Sequence, residues 1–381
     1  MTQARHDVNR TIANFEFFAD HARVSESHAY PSDTGHHQYV RYDSVGVVVA
    51  IAPWNFPLML ESWKVAPALA WGNTVVLKPS EDSPATATML GRLAIEAGFP
   101  EGVLNVVQGA GATGGYLTAD TRVDRITFTG SSATGKIIGK IAMDNLTPVS
   151  LELGGKGANI VFDDADLDNA VHWSIQAIYR NAGQVCLAGS RLFVQRGIYD
   201  EFIKRFVAAA EDLKQGDPSK DDTEYGPLAS RKHFEKVTSY LATVEENGGT
   251  VLTGGKAGEG LFVEPTALTD LGTDSPHYRE EIFGPVVVVT QFDTEAEALA
   301  LANGTPYGLN AIAFTENLSR AHRVAAKLKA GTVWINTFFI RDLRAPFGGV
   351  GDSGVGREGG QYSREFFTEP KAVVMQIHME G

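Results

Sequence analysis

The sequence predicts an α/β protein built on parallel sheets and divided into at least two domains. From about Val45 to Phe162, short β-branched runs alternate with helix-like stretches. These runs are apolar throughout, as expected for strands that are covered by helices on both faces. A second α/β series begins near Asp166, and Gly-Gly-Lys-Gly at Gly154–Gly157 separates the two. The 381 residues are enough for two or three domains.

The first series predicts six strands and four helices. Ser83 is the expected N-cap of the second helix, which has Pro84 in its first position and ends at Gly98. Parallel sheets of this kind bind their ligands at the carboxyl ends of the strands. The predicted strands are Val45–Ile51, Thr74–Lys78, Val103–Val107, Arg125–Thr129, Pro148–Leu151 and Ala158–Phe162. The predicted helices are Leu58–Trp71, Pro84–Ala97, Thr113–Ala119 and Ser131–Ala142.

The second series predicts three helices and two strands, and two further β segments lie outside both cores. The outlying segments are Gln38–Asp43 and Ala372–Ile377. Apolar strands at the periphery leave exposed sheet edges, so we expect them to pair with another subunit. The second series comprises helices near Leu167–Arg180, Tyr199–Leu213 and Arg231–Asn247 and strands near Val286–Phe292 and Val333–Ile335.

The composition argues against several classes of protein. A net charge of −13 without a Lys/Arg-rich run disfavours nucleic-acid binding. The apolar runs, such as Val45–Ala52, are shorter than the ~20 residues that span a bilayer, and the polar amino terminus lacks a secretory signal. The lone cysteine, Cys186, cannot form an internal disulfide, which predicts a cytoplasmic setting. By default such a cysteine is a small buried hydrophobe, so its context has to support any catalytic role.

Two glycine patterns suggest nucleotide binding. Gly109–Gly114 has the spacing of a dinucleotide fingerprint, but Phe128–Lys136 lacks the acid that normally closes the next strand. Gly130–Lys136 resembles a P-loop, yet Ile137 follows the lysine and cannot ligate Mg²⁺ as a hydroxyl would. A nucleotide hydrolase is therefore disfavoured. What remains is a strand followed by a helix whose N–H groups face a pyrophosphate.

A possible ribose-binding pair follows an earlier strand. Lys78 and Glu81 come directly after the predicted strand Thr74–Lys78. The Glu81 carboxylate can accept hydrogen bonds from ribose hydroxyls, and the Lys78 ammonium can donate to them. When these residues are considered alone, a solvated turn is the favoured interpretation.

Taken together, seven motifs resemble those of the aldehyde dehydrogenase superfamily. They occur in the family's order and spacing and span essentially the whole chain. The motifs are Pro53-Trp54-Asn55-Phe56-Pro57, Lys78-Pro79-Ser80-Glu81, Phe128-Thr129-Gly130-Ser131, Glu152-Leu153-Gly154-Gly155-Lys156, Gly183-Gln184-Val185-Cys186, Glu281-Ile282-Phe283-Gly284-Pro285 and Pro346-Phe347-Gly348-Gly349.

The resemblance implies an NAD-dependent enzyme that uses a cysteine thioester and no metal. Cys186 matches the nucleophile, Glu152 the general base and Asn55 the oxyanion donor. A thiolate adds to a carbonyl and leaves a hydrolysable thioester, and fixed amide donors stabilise the oxyanion. Glu81 implies NAD in preference to NADP, because it repels a 2′-phosphate. The implied cofactor contacts are Ile51, Pro53, Trp54, Lys78, Ser80, Glu81, Gly111, Gly115, Phe128, Thr129, Gly130, Ser131, Thr134, Leu153, Glu281 and Phe283.

Within the superfamily, the chain most resembles the hydroxymuconic, aminomuconic and carboxymethyl-hydroxymuconic semialdehyde dehydrogenases of aromatic catabolism. The supporting stretches are Asp7-Val8-Asn9-Arg10, Asn14-Phe15-Glu16-Phe17-Phe18-Ala19, Ile340-Arg341-Asp342-Leu343-Arg344 and Gly356-Arg357-Glu358-Gly359-Gly360. The resemblance implies that Arg10 and either Arg341 or Arg344 bind a substrate carboxylate, with Phe347 beside them. Alternatively, Arg341, Asp342 and Arg344 form an inter-domain ion-pair network. Arg344→Ala is expected to raise the KM for acidic semialdehydes far more than for a neutral aldehyde.

The same resemblance implies a division into domains and a homodimer or homotetramer. Residues 1–30 and 45–153 form the expected NAD-binding domain, residues 154–360 the catalytic domain, and residues 31–44 and 361–381 a small β oligomerisation element. Family members normally carry a further segment before the residue that matches Met1, so we expect this chain to be short at its amino terminus.

Three functions stay open from the sequence. The first is the aldehyde dehydrogenase, the second a cysteine esterase or hydrolase that uses the same thiol with Glu152 and no cofactor. The third is a catalytically silent homologue. NADH formation by the native chain and by Cys186→Ser, together with ester cleavage in the absence of NAD, distinguishes them.

Overall fold

The computed structural model describes residues 1–31 and 33–377, and they form two compact units. The first unit comprises Arg5–Leu151, Asp342–Pro346 and the chain from Gly356 onward. The second comprises Met1–Ala4, Glu152–Arg341 and Phe347–Val355. The chain passes from the first unit to the second between Leu151 and Glu152, close to the boundary expected near Gly154–Gly157. The assignment of functions to these domains stays a prediction.

The first unit contains a sheet whose strands alternate with helices. From the amino terminus to the end of this sheet, the elements are α1 (Thr2–Arg23), β1 (Ala29–Tyr30), β2 (His36–Ser44), β3 (Val47–Ile51), α2 (Pro57–Ala70), β4 (Thr74–Lys78), α3 (Ala85–Glu96), β5 (Leu104–Val106), α4 (Gly111–Ala119), β6 (Arg125–Thr129), α5 (Ser132–Asp144) and β7 (Val149–Glu152).

This sheet places a ligand crevice beside its central strand. Its strands run in the order β7-β6-β3-β4-β5, and β3 is parallel to both β4 and β6. Val48, Val49 and Ala50 of β3 are fully buried, as expected for a strand covered on both faces. From β3 the chain adds β4 and β5 on one side of the sheet and then β6 and β7 on the other. The strand order therefore reverses between β3 and β6. Ligands of open α/β sheets bind at such a reversal, outside the carboxyl ends of the strands.

Helix α1 was not predicted from the sequence. It buries Asp7, Thr11, Asn14 and Phe18, a stripe with helical spacing in which three of the four residues are polar. The polar residues find partners, since the Asn14 side-chain amide donates to the Ser62 hydroxyl at 2.9 Å. A pattern based on apolar residues misses a helix of this kind.

The expected N-cap of α3 is wrong. Pro84, and not Ser83, occupies the position before the first helical residue, Ala85. The Ser83 hydroxyl is buried and has no hydrogen-bond partner among the residues that the structure describes. Proline at this position supplies no N–H group, and its fixed φ suits a helix start without a capping side chain.

The two outlying β segments pair with each other. After the second unit the chain returns as α12 (Gly360–Phe367) and β18 (Thr368–Gln376). β18 lies antiparallel to β2 along its whole length, and β1 extends the pair to a three-stranded sheet. Most of β18 is exposed. Its pairing with another subunit stays a prediction, and residues 32 and 378–381 of the expected oligomerisation element lie outside the described residues.

The second unit is built on a seven-stranded sheet. Its order is β10-β11-β12-β9-β8-β14-β15, and β10 is antiparallel to its neighbour while the other pairs are parallel. The elements are β8 (Ala158–Val161), α6 (Leu167–Tyr179), β9 (Arg191–Gln195), α7 (Tyr199–Glu211), α8 (Arg231–Leu241), β10 (Thr250–Thr253), β11 (Thr266–Thr269), α9 (Pro276–Arg279), β12 (Val286–Phe292), α10 (Glu295–Ala302), β13 (Tyr307–Gly308), β14 (Asn310–Phe314), α11 (Leu318–Lys327), β15 (Thr332–Ile335), β16 (Val350–Gly351) and β17 (Gly354–Val355).

Strands β9 and β14 lie inside this sheet, yet the sequence analysis missed them. β9 begins with a charged residue, Arg191, whose guanidinium is buried and donates to the carbonyls of Lys156, Leu301 and Ala302 at 2.8–2.9 Å. These bonds satisfy a charged group that would otherwise argue against burial. In the described part of the chain, no helix is both long and apolar enough to cross a membrane.

Candidate active site

The carboxyl ends of β3, β4 and β6 bring together most of the predicted cofactor residues of the first unit. β3 ends at Ile51 and leads through Pro53 and Trp54 to Asn55, two residues before α2 begins. Asn55 is partly buried. The predicted oxyanion donor therefore leaves the sheet at the strand-order reversal, where the fold predicts a ligand.

Lys78 and Glu81 form an ion pair at the end of β4. The Lys78 ammonium lies 3.8 Å from a Glu81 carboxylate oxygen, and the side chains are 5% and 57% exposed. Lys78 also donates to the Pro79 carbonyl at 2.8 Å, while the Ser80 hydroxyl accepts from the Asp82 N–H. Burial lowers the pKa of Lys78, and the Glu81 charge opposes this effect. The buried ammonium thus fixes a solvent-facing carboxylate that can accept ribose hydroxyls.

Two helices begin after strands of the same sheet. β6 ends with the buried Phe128 and Thr129, and after Gly130 the hydroxyl of Ser131 caps α5 by accepting from the Thr134 N–H. The amino terminus of a helix this long attracts an anion through its unpaired N–H groups and its dipole.

Helix α4 approaches the same strand ends through glycines. A Cβ on Gly114 would lie 3.7–3.9 Å from the side chains of Lys78 and Ile51, so this turn of the helix packs against them. Gly111 and Gly115 face open space. An exposed carboxylate beside a helix amino terminus fits a ribose linked to a pyrophosphate, as in a dinucleotide.

In the second unit, a glycine turn brings Glu152 and Cys186 into one site. Glu152 is buried at the end of β7 and enters the turn through Leu153. The Gly155 N–H donates to Glu281 Oε1 at 2.8 Å, and a Cβ on Gly155 would lie only 2.5 Å from the Cys186 carbonyl oxygen. A side chain on Gly154 would overlap the Glu281 carboxylate. Both glycines are therefore required for the close approach of the segments that carry Cys186 and Glu281.

The chain reaches Cys186 through a left-handed turn. Asn181, Ala182 and Gly183 have φ values of 51°, 53° and 72°. The Asn181 carbonyl accepts from the backbone and side chain of Gln184 at 3.1 and 2.9 Å, and Gln184 Oε1 accepts from the Ala229 N–H at 2.9 Å. Two consecutive non-glycine residues in this region cost conformational energy, and such strain is concentrated at functional sites.

The surroundings of the Cys186 thiol disfavour its ionisation. The residue is partly buried, and burial together with the negative charges of Glu281 and Glu152 raises the pKa of the thiol to about 12. Burial also raises the pKa of Glu281, although the Gly155 N–H bond opposes this rise. Because the thiolate is the reactive form, the thiol must transfer its proton to a base before it can attack.

Phe283 is held by a residue that the sequence analysis missed. Phe283 has a left-handed φ of 63°, and its carbonyl accepts from His233 Nε2 at 2.7 Å. His233 lies near the start of α8, and no motif in the sequence marks it. A positive φ at a bulky residue is uncommon, so this bond stabilises an unusual backbone conformation at Phe283.

The predicted substrate arginines have different environments. In the second unit, the Arg341 guanidinium lies 3.8 Å above the centre of the Phe347 ring. In the first unit, Arg344 forms a bidentate ion pair with Asp342, with its Nε and terminal nitrogen at 3.0 and 2.6 Å. Arg10 is partly buried, and burial lowers its pKa while the charge of Asp342 opposes this. The structure thus shows one ion pair, Asp342 with Arg344, within the first unit, and the wider inter-domain network stays a prediction.

The fold and the site are those expected of a dinucleotide-binding α/β enzyme, in which the role of Cys186 as nucleophile stays a prediction. The structure shows no group of three or more His, Cys, Asp or Glu side chains that could hold a metal, among the residues it describes. The model of the aldehyde dehydrogenase family matches residues 1–373, so the chain belongs to this family.

Individual relatives agree with this membership. The chain is 47% identical to a 2-hydroxymuconic semialdehyde dehydrogenase of Pseudomonas sp. strain CF600 over 97% of this chain and 79% of the relative. It is 44% identical to a 2-aminomuconic 6-semialdehyde dehydrogenase of Pseudomonas sp. over 98% and 79%. The solved NAD⁺ complex of an aldehyde dehydrogenase from Bacillus cereus superposes with a TM-score of 0.95 at 43% identity, over 98% and 76% of the two chains.

These comparisons confirm the predicted fold and enzyme class. The roles of the individual residues stay predictions. The esterase and the silent homologue are not favoured.

Proposed function

We propose that this chain oxidises a carboxylate-bearing semialdehyde to the carboxylic acid, with NAD as the hydride acceptor. The observation that carries the proposal is the packing of the Cys186 segment against the Glu152–Gly155 turn. It places a cysteine and a buried carboxylate together in a member of the aldehyde dehydrogenase family. We base the proposed substrate class on the two Pseudomonas relatives, which are both semialdehyde dehydrogenases.

The residues of this chain supply the proton transfers. Cys186 attacks the aldehyde carbon after its thiol proton has passed to a base, and we assign that role to Glu152, a buried carboxylate of the same unit whose charge acts on the thiol. The Asn55 amide and the Cys186 N–H are assigned to the oxyanion. After Glu152 has released the thiol proton to solvent, it takes a proton from the water that hydrolyses the thioester, and the hydrolysis frees the carboxylic acid and Cys186.

NAD accepts the hydride when it is bound. Its pyrophosphate is assigned to the amino terminus of α5 and its ribose hydroxyls to Glu81 and Lys78. The Glu81 carboxylate repels a 2′-phosphate, which supports NAD over NADP. The Bacillus cereus relative was solved with NAD⁺ bound, which supports NAD as the cofactor.

Arg341 and Arg10 are better candidates for the substrate carboxylate than Arg344. The Arg344 guanidinium already forms a bidentate pair with Asp342, so recruiting it would break two charge-assisted hydrogen bonds. The Arg341 guanidinium lies flat on Phe347. Stacking fixes the plane of a guanidinium, and its donors point outward within that plane.

We also propose that the chain assembles as a homodimer or homotetramer. The exposed, nine-residue β18 lies at one edge of its three-stranded sheet and offers unpaired backbone groups to another subunit. Light scattering after size-exclusion chromatography tests this, and a monomer at micromolar concentration would contradict it.

The function is tested by following NADH absorbance. Native enzyme is given NAD and either 2-hydroxymuconic semialdehyde or hexanal, which has the same chain length and no carboxylate. We expect efficient turnover of the semialdehyde, weak turnover of hexanal, and none with Cys186→Ser. Arg341→Gln should raise the KM for the semialdehyde alone, and Arg344→Gln serves as the matched control.

Undiminished NADH formation by Cys186→Ser would refute the mechanism. Equal efficiency with hexanal would refute the substrate class. Ester cleavage without NAD, in the absence of any NADH formation, would favour the hydrolase.

A further inference from the structure

Arg180 begins the turn that carries the nucleophile. Helix α6 ends at Tyr179, and Arg180 opens the left-handed segment that leads to Cys186. The turn is fixed by the hydrogen bonds between Asn181 and Gln184. A side chain at position 180 therefore has a defined position relative to the thiol.

The guanidinium of Arg180 is desolvated without a compensating partner. It lies 4.6 Å above the centre of the Phe339 ring, and burial lowers its pKa. Its Nε is buried and has no hydrogen-bond partner among residues 1–31 and 33–377. No carboxylate of the described chain forms an ion pair with it. A cation that is partly removed from water and has no charged partner is unfavourable, so the position favours an anion.

Two other arginines of the second unit, one stacked on an aromatic ring and one buried, have polar partners. Arg320 stacks on Phe162 at 4.7 Å, a geometry close to that of Arg180, but it also pairs with Asp163 and Asp164. Arg191 is buried and donates to three backbone carbonyls. Arg180 has the same aromatic support and lacks the anionic or carbonyl acceptors.

The ring under Arg180 belongs to the segment that carries Arg341. Phe339 has a left-handed φ of 65°, and Arg341 follows two residues later with its own guanidinium over Phe347. Within the second unit, the nucleophile turn and the predicted substrate-binding segment therefore meet at Phe339.

We propose that Arg180 is a specificity-determining residue that binds a carboxylate of the aldehyde substrate through its guanidinium, whose Nε–H has no partner among the described residues. The inference rests on the proposed function, because it assumes an acidic aldehyde at Cys186. A carboxylate fits the planar, two-pronged guanidinium better than a neutral oxygen does, and it supplies the missing charge. Stacking on Phe339 orients the guanidinium before the substrate arrives.

A matched pair of substrates tests the assignment. 5-Oxopentanoate and pentanal have the same chain length and differ by one carboxylate. For Arg180→Gln we expect kcat/KM with 5-oxopentanoate to fall by about 10- to 100-fold, mainly through KM, because a hydrogen bond to a charged group is lost. The value for pentanal should stay within about threefold, and Arg180→Lys should recover part of the loss because it restores the charge without the fork.

Arg320→Gln is the control, because it removes a similarly stacked arginine that already has carboxylate partners. It should leave the ratio of the two kcat/KM values unchanged. If Arg180→Gln does not fold, Arg180→Lys still tests the proposal through the same ratio.

The outcomes separate this proposal from the proposed function. An equal fall with both aldehydes would show that Arg180 only supports the turn, and it would overturn the proposal. Unchanged kinetics would also overturn it, while the proposed function would stand if the native enzyme still favours 5-oxopentanoate and Cys186→Ser is inactive. A native enzyme without that preference would overturn both.

Discussion

Replacing Gly155 by alanine should displace the nucleophile without removing any catalytic group. The new Cβ would lie 2.5 Å from the Cys186 carbonyl oxygen, and real Cβ atoms essentially never approach closer than 3.0 Å. On its other side the methyl group would meet Leu309 at 3.4 Å, so it has no room to move away. The Cys186 segment must therefore shift by about 0.5 Å or more. Because a 1 Å misplacement of a reacting group costs about 100-fold, we expect kcat to fall by about 10- to 100-fold.

The assay is steady-state NADH formation with saturating NAD and semialdehyde, together with thermal unfolding of each variant. Gly197→Ala is the matched control, since a Cβ there meets nothing within 4 Å and its φ is not positive. The control should keep native kcat, and both variants should keep a cooperative unfolding transition. A Gly155→Ala enzyme with kcat within threefold of native would refute the argument that this contact positions the thiol.

Three further predictions concern charges. Glu281→Gln removes one of the negative charges that, together with burial, raise the Cys186 pKa to about 12. The pH midpoint of alkylation by iodoacetamide in the cofactor-free enzyme should therefore fall. An unchanged midpoint would contradict this prediction. Burial raises the pKa of Glu61 from its ordinary 4.5 to about 8, so the folded protein holds a proton that the unfolded chain releases. The free energy of unfolding, measured by urea titration, should therefore fall as the pH rises from about 4.5 to about 8, and this part of the slope should disappear in Glu61→Gln. Lys64 is fully buried with its ammonium 2.9 Å from Glu358, so Lys64→Met should cost about 3–5 kcal/mol of unfolding free energy. Lys64→Met combined with Glu358→Leu should recover most of that loss, and a double variant less stable than the single one would contradict the account.

The strands that were predicted correctly are those whose local sequence pattern matches their burial in the folded protein. β4, β6 and β12 have the predicted bounds because their β-branched, apolar residues match a buried strand. Helix α1 and strand β9 were missed for the opposite reason. Their buried faces contain polar or charged residues, and only the hydrogen bonds made by Asn14 and Arg191 explain that burial.

The site shows the same division. Cys186 was identified as the nucleophile because its neighbours along the chain form a recognisable motif. Arg180 was not singled out, since an arginine at the end of a helix has no distinctive local signal. Its unsatisfied guanidinium is visible only when Phe339 and the absence of a nearby carboxylate are seen together.

The family and the α/β fold class follow from the sequence alone, because they depend on short motifs and on their order. The same motifs single out Cys186, Glu152 and Asn55, whose roles stay predictions. Tertiary structure alone decided that Arg344 is paired with Asp342 while Arg341 stacks on Phe347. It also decided the protonation of the thiol. A pKa depends on burial and on charges close in space, and the carboxylate of Glu281 reaches Cys186 only after the chain has folded.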